Sequence, residues 1–141
     1  MLKKNDFLIS NINSIANIGK SAMYYGEAPL YHGMNLLRIS PKEVEPMFLK
    51  YFFKSNYFLC TAQRLCKPAI NQASLANSLL KRIKMPVPPV VEQAIIANFL
   101  DSKCAEIDAT IEEKQKQLET LAQYKQSLIY EYVTGKKAVP M

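Results

Sequence analysis

Apolar and polar positions follow three rhythms along the chain. Near the start, DFLISN (6–11) sets Phe7 and Ile9 between polar neighbours, the two-residue period of a short strand. The following stretch is rich in Asn, Gly and Ser, with strand-like pieces at Ala22–Tyr25 and Leu30–Tyr31, and NLLRIS (35–40) is a further strand candidate. The period then lengthens. Pro41 and Pro46 frame a helix, EPMFLKYFFKSNYF (45–58), in which Met47, Phe48, Tyr51, Phe52 and, just beyond, Leu59 recur at helical spacing. Lys50 and Lys54 sit four apart on its other side. Such an aromatic stripe reads as core rather than as a platform for stacked bases. AQRLCKPAINQASLANS (62–78) is polar and irregular, a loop with one helical turn from Ser74. LLKRIKMPV (79–87) alternates again, with Leu79, Ile83, Met85 and Val87 on one face and Arg82 and Lys84 on the other, which predicts a half-exposed strand.

The third rhythm is the longest. From Val91 to about Gly135 no internal Pro or Gly interrupts a helix. A heptad register places Leu100, Ile107, Lys114, Leu121 and Leu128 at one seam position. Cys104, Ile111, Leu118, Lys125 and Tyr132 fall at the other, so Lys114 and Lys125 are faults in the seam. Gly135 supplies a left-handed stop. The span is roughly 65 Å at 1.5 Å per residue; a breakpoint near Asp101 or Ser102 would divide it in two. Just before it, Pro86, Pro88 and Pro89 hold Met85 to Pro89 extended, a rigid joint that ends one unit and launches another.

Charge sharpens that division. Residues 1–90 carry 12 Lys/Arg against 4 Asp/Glu, a balance of +8, whereas residues 91–141 carry 6 against 8, a balance of −2. A basic surface favours polyanions through counterion release, and it also keeps a domain soluble. Within the helix, residues 91–113 carry −5 and residues 114–141 carry +3. Two copies would therefore meet favourably antiparallel, although the same distribution suits the macrodipole of a single helix.

Composition removes several classes. Half of the 141 residues are apolar, with six Phe and eight Tyr, which excludes a disordered chain. No apolar run approaches the roughly 20 residues that cross a bilayer, and Asp6 and Asn11 interrupt any signal-like stretch. Cys60, Cys66 and Cys104 are odd in number and lack C-x-x-C spacing, so no disulfide frame and no metal site is predicted. The expectation is a soluble cytoplasmic protein without membrane contact.

No nucleotide-binding, phosphate-loop or zinc-protease motif is present, and His32 is the single histidine. Asp101, Asp108, Glu112 and Glu113 read as a solvated helix face. The chain is expected to be no enzyme by itself and to bind no cofactor. Three regions instead offer donors for phosphates and forked groups for base edges. The first is Asn11, Asn13, Ser14, Asn17 and Lys20; the second is Gln63, Arg64, Lys67, Asn71 and Gln72; the third is Lys81, Arg82 and Lys84. Asn and Gln can pair bidentately with adenine and Arg with guanine, while lysines suit phosphates. Asn71 and Gln72 also suit a cap for the turn before Leu75.

The run MPVPPVVEQAIIANFLDSKCAEIDATIEE, followed by LETLAQYKQSLIYEYVTGK, resembles the C-terminal part of a DNA-recognition half in specificity subunits of type I restriction–modification enzymes. The positions that carry the likeness are Pro86, Pro88, Pro89, Glu92, Gln93, Ile107, Asp108, Ser127, Leu128, Ile129, Val133, Thr134 and Gly135. NDFLISN, NIGKSAMYY, FLKYFFKS and INQASLANSLLKRIKMPVPP extend it over essentially the whole chain. A family recognition domain carries a further stretch before the position of Met1, and a complete subunit has two such domains and two long helices. The resemblance thus implies a truncated, non-catalytic specificity subunit.

Its expected fold is α+β, a small partial target-recognition α/β domain at 1–89 followed by a long coiled-coil helix at 90–141. The globular part would read double-stranded DNA. The helix, through Leu100, Cys104, Ile107, Ile111, Leu118, Leu121, Leu128 and Tyr132, would dimerise or dock a methyltransferase subunit and, through it, a restriction subunit. The prolines would fix the angle between reader and spacer. A two-fold assembly of readers would select a palindromic site. Two other readings are an interaction-only fragment that dimerises or docks without reading DNA, and a plain coiled-coil oligomeriser, which the basic front half disfavours.

Overall fold

The computed structural model describes residues 1–140. The fold is mixed, with two small antiparallel sheets and four α-helices, and the chain divides into one compact unit of Met1–Leu100 and a second that begins at Asp101.

In the first unit, strand β1 (Phe7–Ser10) is the middle of a three-stranded sheet between β3 (Ser21–Met23) and β4 (Leu36–Ile39). Phe7 stands opposite Met23 and Ile39, and Ile9 opposite Ser21 and Leu37. The alternation of β1 sends Phe7 and Ile9 into the core, as the two-residue period predicts. The chain then crosses at Asn11 into a second sheet, where β2 (Ile12–Asn13) pairs with β6 (Gln72–Ser74), itself paired with β5 (Lys67–Ala69).

Two helices close the core. Helix α1 (Pro46–Lys54) starts with proline at its first position, and the Glu45 carboxylate caps it by accepting the Phe48 amide at 2.6 Å. Helix α2 (Asn56–Leu65) follows after one residue. The single helix expected over 45–58 is therefore two. Ser55 takes an extended conformation and its hydroxyl accepts the Phe58 amide at 3.2 Å, so a residue suited to capping starts a new helix. The break also shifts the buried face. Leu49, Phe53 and Phe58 are the buried members, while Met47, Phe48, Tyr51, Phe52 and Leu59 are only half-buried. Phe53 meets Phe7 edge-on at 5.2 Å and Phe58 at 4.8 Å between ring centroids. Gly19, at φ +83°, passes so close to α2 that a Cβ there would lie 3.0 Å from that of Ala62.

Three other expectations are corrected. Leu30–Tyr31 forms no strand. The stretch 62–78 is not a loop: α2 runs on to Leu65, the β5–β6 hairpin follows, and the helical turn α3 spans Asn77–Leu80. LLKRIKMPV is no strand either. After α3 the chain runs extended with no neighbouring strand, and Ile83 and Met85 pack directly on the core. Alternation reports one buried side, which a helix surface can cover as well as a sheet.

Asp6 ties the start of the chain to β4. Its carboxylate accepts the Lys3 amide at 2.8 Å and the Ser40 hydroxyl at 2.6 Å, with Arg38 at 3.9 Å. Burial, the largest influence, pushes its carboxyl upward. The two hydrogen bonds and the charges of Arg38 and Lys3 outweigh it and hold the pKa below the usual value.

Helix α4 (Val90–Val133) is continuous through Asp101 and Ser102, with 44 residues. Its first turn is latched by Gln93, which is fully buried. The Gln93 Nε2 donates to the Pro88 carbonyl at 2.7 Å, and Oε1 accepts the Glu45 amide at 2.9 Å. The extended proline segment is thus pinned to the cap of α1 by one side chain. In the second unit Gly135, at φ +74°, ends the helix as expected, and its amide donates to the Tyr132 carbonyl.

Candidate nucleic-acid interface

The β2–β6–β5 sheet brings two of the three predicted donor regions together. Asn13 stands opposite Ala73, and Ala69 opposite Gln72. The 3-10 turn Ile15–Asn17 after β2 therefore lies beside the tip of the β5–β6 hairpin. Between them is a shallow groove of about 280 Å³ lined by Ser14, Ile15, Ala69, Asn71 and Gln72. Ile70 and Asn71 form the two-residue hairpin turn, and Asn71 takes φ +63°, a left-handed conformation that Asn tolerates well.

The first region is organised from within. Asn13 Oδ1 accepts the Ser14 amide at 2.8 Å, and Asn17 Nδ2 donates to the Ser14 hydroxyl at 3.0 Å. Lys20 Nζ donates to Asn17 Oδ1 at 2.6 Å. This network presets the turn at the price of engaging part of its donor capacity. Asn11 does not join it. Expected among the donors for DNA, it is only 9% exposed, and its amide donates to Asn35 while its carbonyl accepts from Leu75. Its Oδ1 is buried with no hydrogen-bond partner among the described residues.

Arg64, on the last turn of α2, and Lys67, at the start of β5, are exposed beside the hairpin in sequence. Lys81 and Arg82, in the turn after α3, and Lys84 are exposed too. They do not line the hairpin groove. Lys81 borders a different depression, of about 400 Å³, whose floor is Leu49, Phe52 and Phe58 and whose rim includes Arg38.

Residues missed in the sequence are Ile15 in the groove, Ile70 on the exposed hairpin turn, and Lys54, which borders two shallow depressions around Ser21 together with Lys20 and Lys50. A signal for the basic surface was present in composition. Residues 46–91 contain seven Lys/Arg and no Asp or Glu, and residues 7–26 contain no acid. These two stretches supply all three strands of the second sheet.

In the second unit, the seam positions Cys104, Ile107, Ile111, Leu118, Leu121 and Tyr132 are exposed and Leu128 is half-buried; Leu100, at the end of the first unit, is half-buried. Among the described residues no group of His, Cys, Asp and Glu is placed to hold a metal ion, and no helix is long and apolar enough to cross a membrane.

The chain is 38% identical over 136 residues to the type I restriction enzyme MjaX specificity subunit of Methanocaldococcus jannaschii, a match covering 92% of this chain and 30% of that protein. It is 27% identical over 94 residues to the type I restriction enzyme StySPI specificity subunit of Salmonella potsdam, covering 67% of this chain and 20% of that one. The chain thus spans less than a third of the length of either relative. Residues 1–120 match the family described as the type I restriction modification DNA specificity domain. With α/β elements, extended prolines and long helix in one order, the chain belongs to that family.

Proposed function

We propose that this chain is a non-catalytic DNA-specificity element of a type I restriction–modification system, working in the cytoplasm. Its first unit contacts double-stranded DNA, and its long helix docks a methyltransferase subunit and, through it, a restriction subunit. The observation that carries the reading is the second sheet, which gathers Ser14, Asn71 and Gln72 in one groove within two acid-free stretches. Carboxamides can read adenine edges, and Asn13 supports the turn from beside them. Lys20, Arg64, Lys67, Lys81, Arg82 and Lys84 serve phosphates. Asn11, enclosed at the crossing between sheets, supports the arrangement from behind and is not counted as a contact.

Purified full chain should bind duplex DNA with affinity that falls steeply with salt and depends on sequence, measured by fluorescence anisotropy. Replacing Arg82 and Lys84 together should weaken every duplex alike and flatten the salt slope, whereas replacing Gln72 should relax sequence choice. Equal binding to all duplexes would leave the second reading, an interaction-only role. That reading draws support from the exposed row Ile107, Ile111, Leu118 and Leu121, which suits an antiparallel second copy or a partner helix. Recovery of a methyltransferase subunit with the tagged chain from its host tests the docking role independently.

A further inference from the structure

The tip of the β5–β6 hairpin carries an apolar side chain in the open. Ile70 is 91% exposed, the first of two turn residues, and Asn71 beside it presents a carboxamide. Across the groove Ile15 is also exposed and lines it together with Ser14, Asn71 and Gln72. One branched aliphatic side chain, Ile15, therefore lines the groove with two carboxamides and a hydroxyl, and a second, Ile70, stands exposed on the turn next to Asn71. Neither isoleucine is needed to fill the core, whose buried members are elsewhere.

We propose that the Ile70–Asn71 turn at the edge of this groove reads an A·T pair from the DNA major groove, with Ile70 against the thymine C5-methyl and the Asn71 carboxamide on the adenine edge. The inference rests on the DNA-reading role proposed above and deepens it. The shape fits: the β5–β6 turn, with strands about 4.8 Å apart and β2 paired alongside β6, offers a narrow leading edge to a groove about 12 Å wide. The chemistry fits as well. The thymine methyl is the one apolar group that the four bases display there, and an exposed aliphatic residue is its complement. A carboxamide is the side chain that pairs with adenine N6 and N7 together. Lys67 stands three residues back from Ile70, about 10 Å along an extended strand, where it can meet a phosphate at the groove's edge. No acidic residue lies between Glu45 and Glu92 to repel the duplex there.

The test begins with duplexes selected from a random pool by the full chain. In the best of them, each thymine is replaced in turn by deoxyuridine, which lacks only the methyl group. One position should show about a three- to tenfold loss of binding, in line with a single apolar base contact. Ile70→Ala should abolish that difference without changing thermal unfolding. Asn71→Gly, which keeps the left-handed turn while deleting the carboxamide, should relax the choice of adenine at the same pair. Sequence-selective binding with no deoxyuridine effect, or with one that survives Ile70→Ala, overturns this inference and leaves the DNA-reading role standing. Binding that is equal on every duplex overturns both.

Discussion

The two units of the chain treat their apolar residues in opposite ways. In the first, Phe7, Ile9, Ile18, Phe58 and Leu75 are withdrawn from water almost completely by two short sheets and two helices. In the second, Ile107, Ile111, Leu118 and Leu121 each remain 57–61% exposed along the helix. The helix there is held by backbone bonds and by exposed pairs such as Lys103–Glu106 at 2.8 Å and Lys116–Glu112 at 2.7 Å. Such pairs contribute a few tenths of a kcal/mol each, far less than one buried aromatic ring. The difference separates a region that is ordered by its own core from one whose apolar row stays in solvent, the row proposed above to meet a partner.

The largest effect comes from breaking the first term of that comparison. Phe58→Ala removes the ring that contacts both Phe52 and Phe53 and should destabilise the protein by about 3–5 kcal/mol. Urea unfolding followed by tyrosine fluorescence measures it. A loss below about 1 kcal/mol would mean that the aromatic cluster is not where stability resides.

Which parts of this were legible in the sequence follows from how local each signal is. Strand β1 and helix α4 were readable because Phe7 and Ile9, or the Leu–Ile seam, repeat a clean period within one segment. The α1–α2 break was not, because only Ser55 marks it inside an otherwise helical run. The hairpin was hidden for a different reason. Its strands have three residues each, one of them contains Pro68, and the partner strand β2 lies some sixty residues away. The candidate site was half legible on the same grounds. Ser14, Asn71 and Gln72 could be named from residue type, but only the β2–β6 register brings them together. Ile15 and Ile70 carried no signal, since an isolated isoleucine in a polar stretch gives no period from which to infer exposure.

A smaller effect is expected where the first unit holds the start of α4. Gln93→Leu leaves the Pro88 carbonyl and the Glu45 amide without partners and should cost about 2–3 kcal/mol. Gln93→Glu separates hydrogen bonding from packing. The introduced carboxylate can accept the Glu45 amide but cannot donate to Pro88. Its buried, carbonyl-facing site raises its pKa on folding, so the protonated form is the stabilising one. The variant should therefore gain stability relative to the parent as the pH falls towards about 4 and lose it as the pH rises through the raised value. A melting profile parallel to the parent's at every pH would mean that the latch is not required.

The smallest effect on folding, and the sharpest on function, belongs to the exposed row. Leu118→Gln with Leu121→Gln keeps charge and helix propensity while removing two apolar groups that the described residues leave exposed. Stability of the isolated chain should shift by no more than about 0.5 kcal/mol. Association should nonetheless be lost, read as a smaller sedimentation coefficient where the parent self-associates and as failure to recover a methyltransferase subunit where the parent docks one. If the variant instead melts early and still associates, the row is internal packing that matters to this chain alone, and the contrast between its two units disappears. If it melts with the parent and associates equally well, the covered face lies elsewhere on the helix. The exposed aromatic residues off that row, Tyr124 and Tyr130, would then be the ones to replace next.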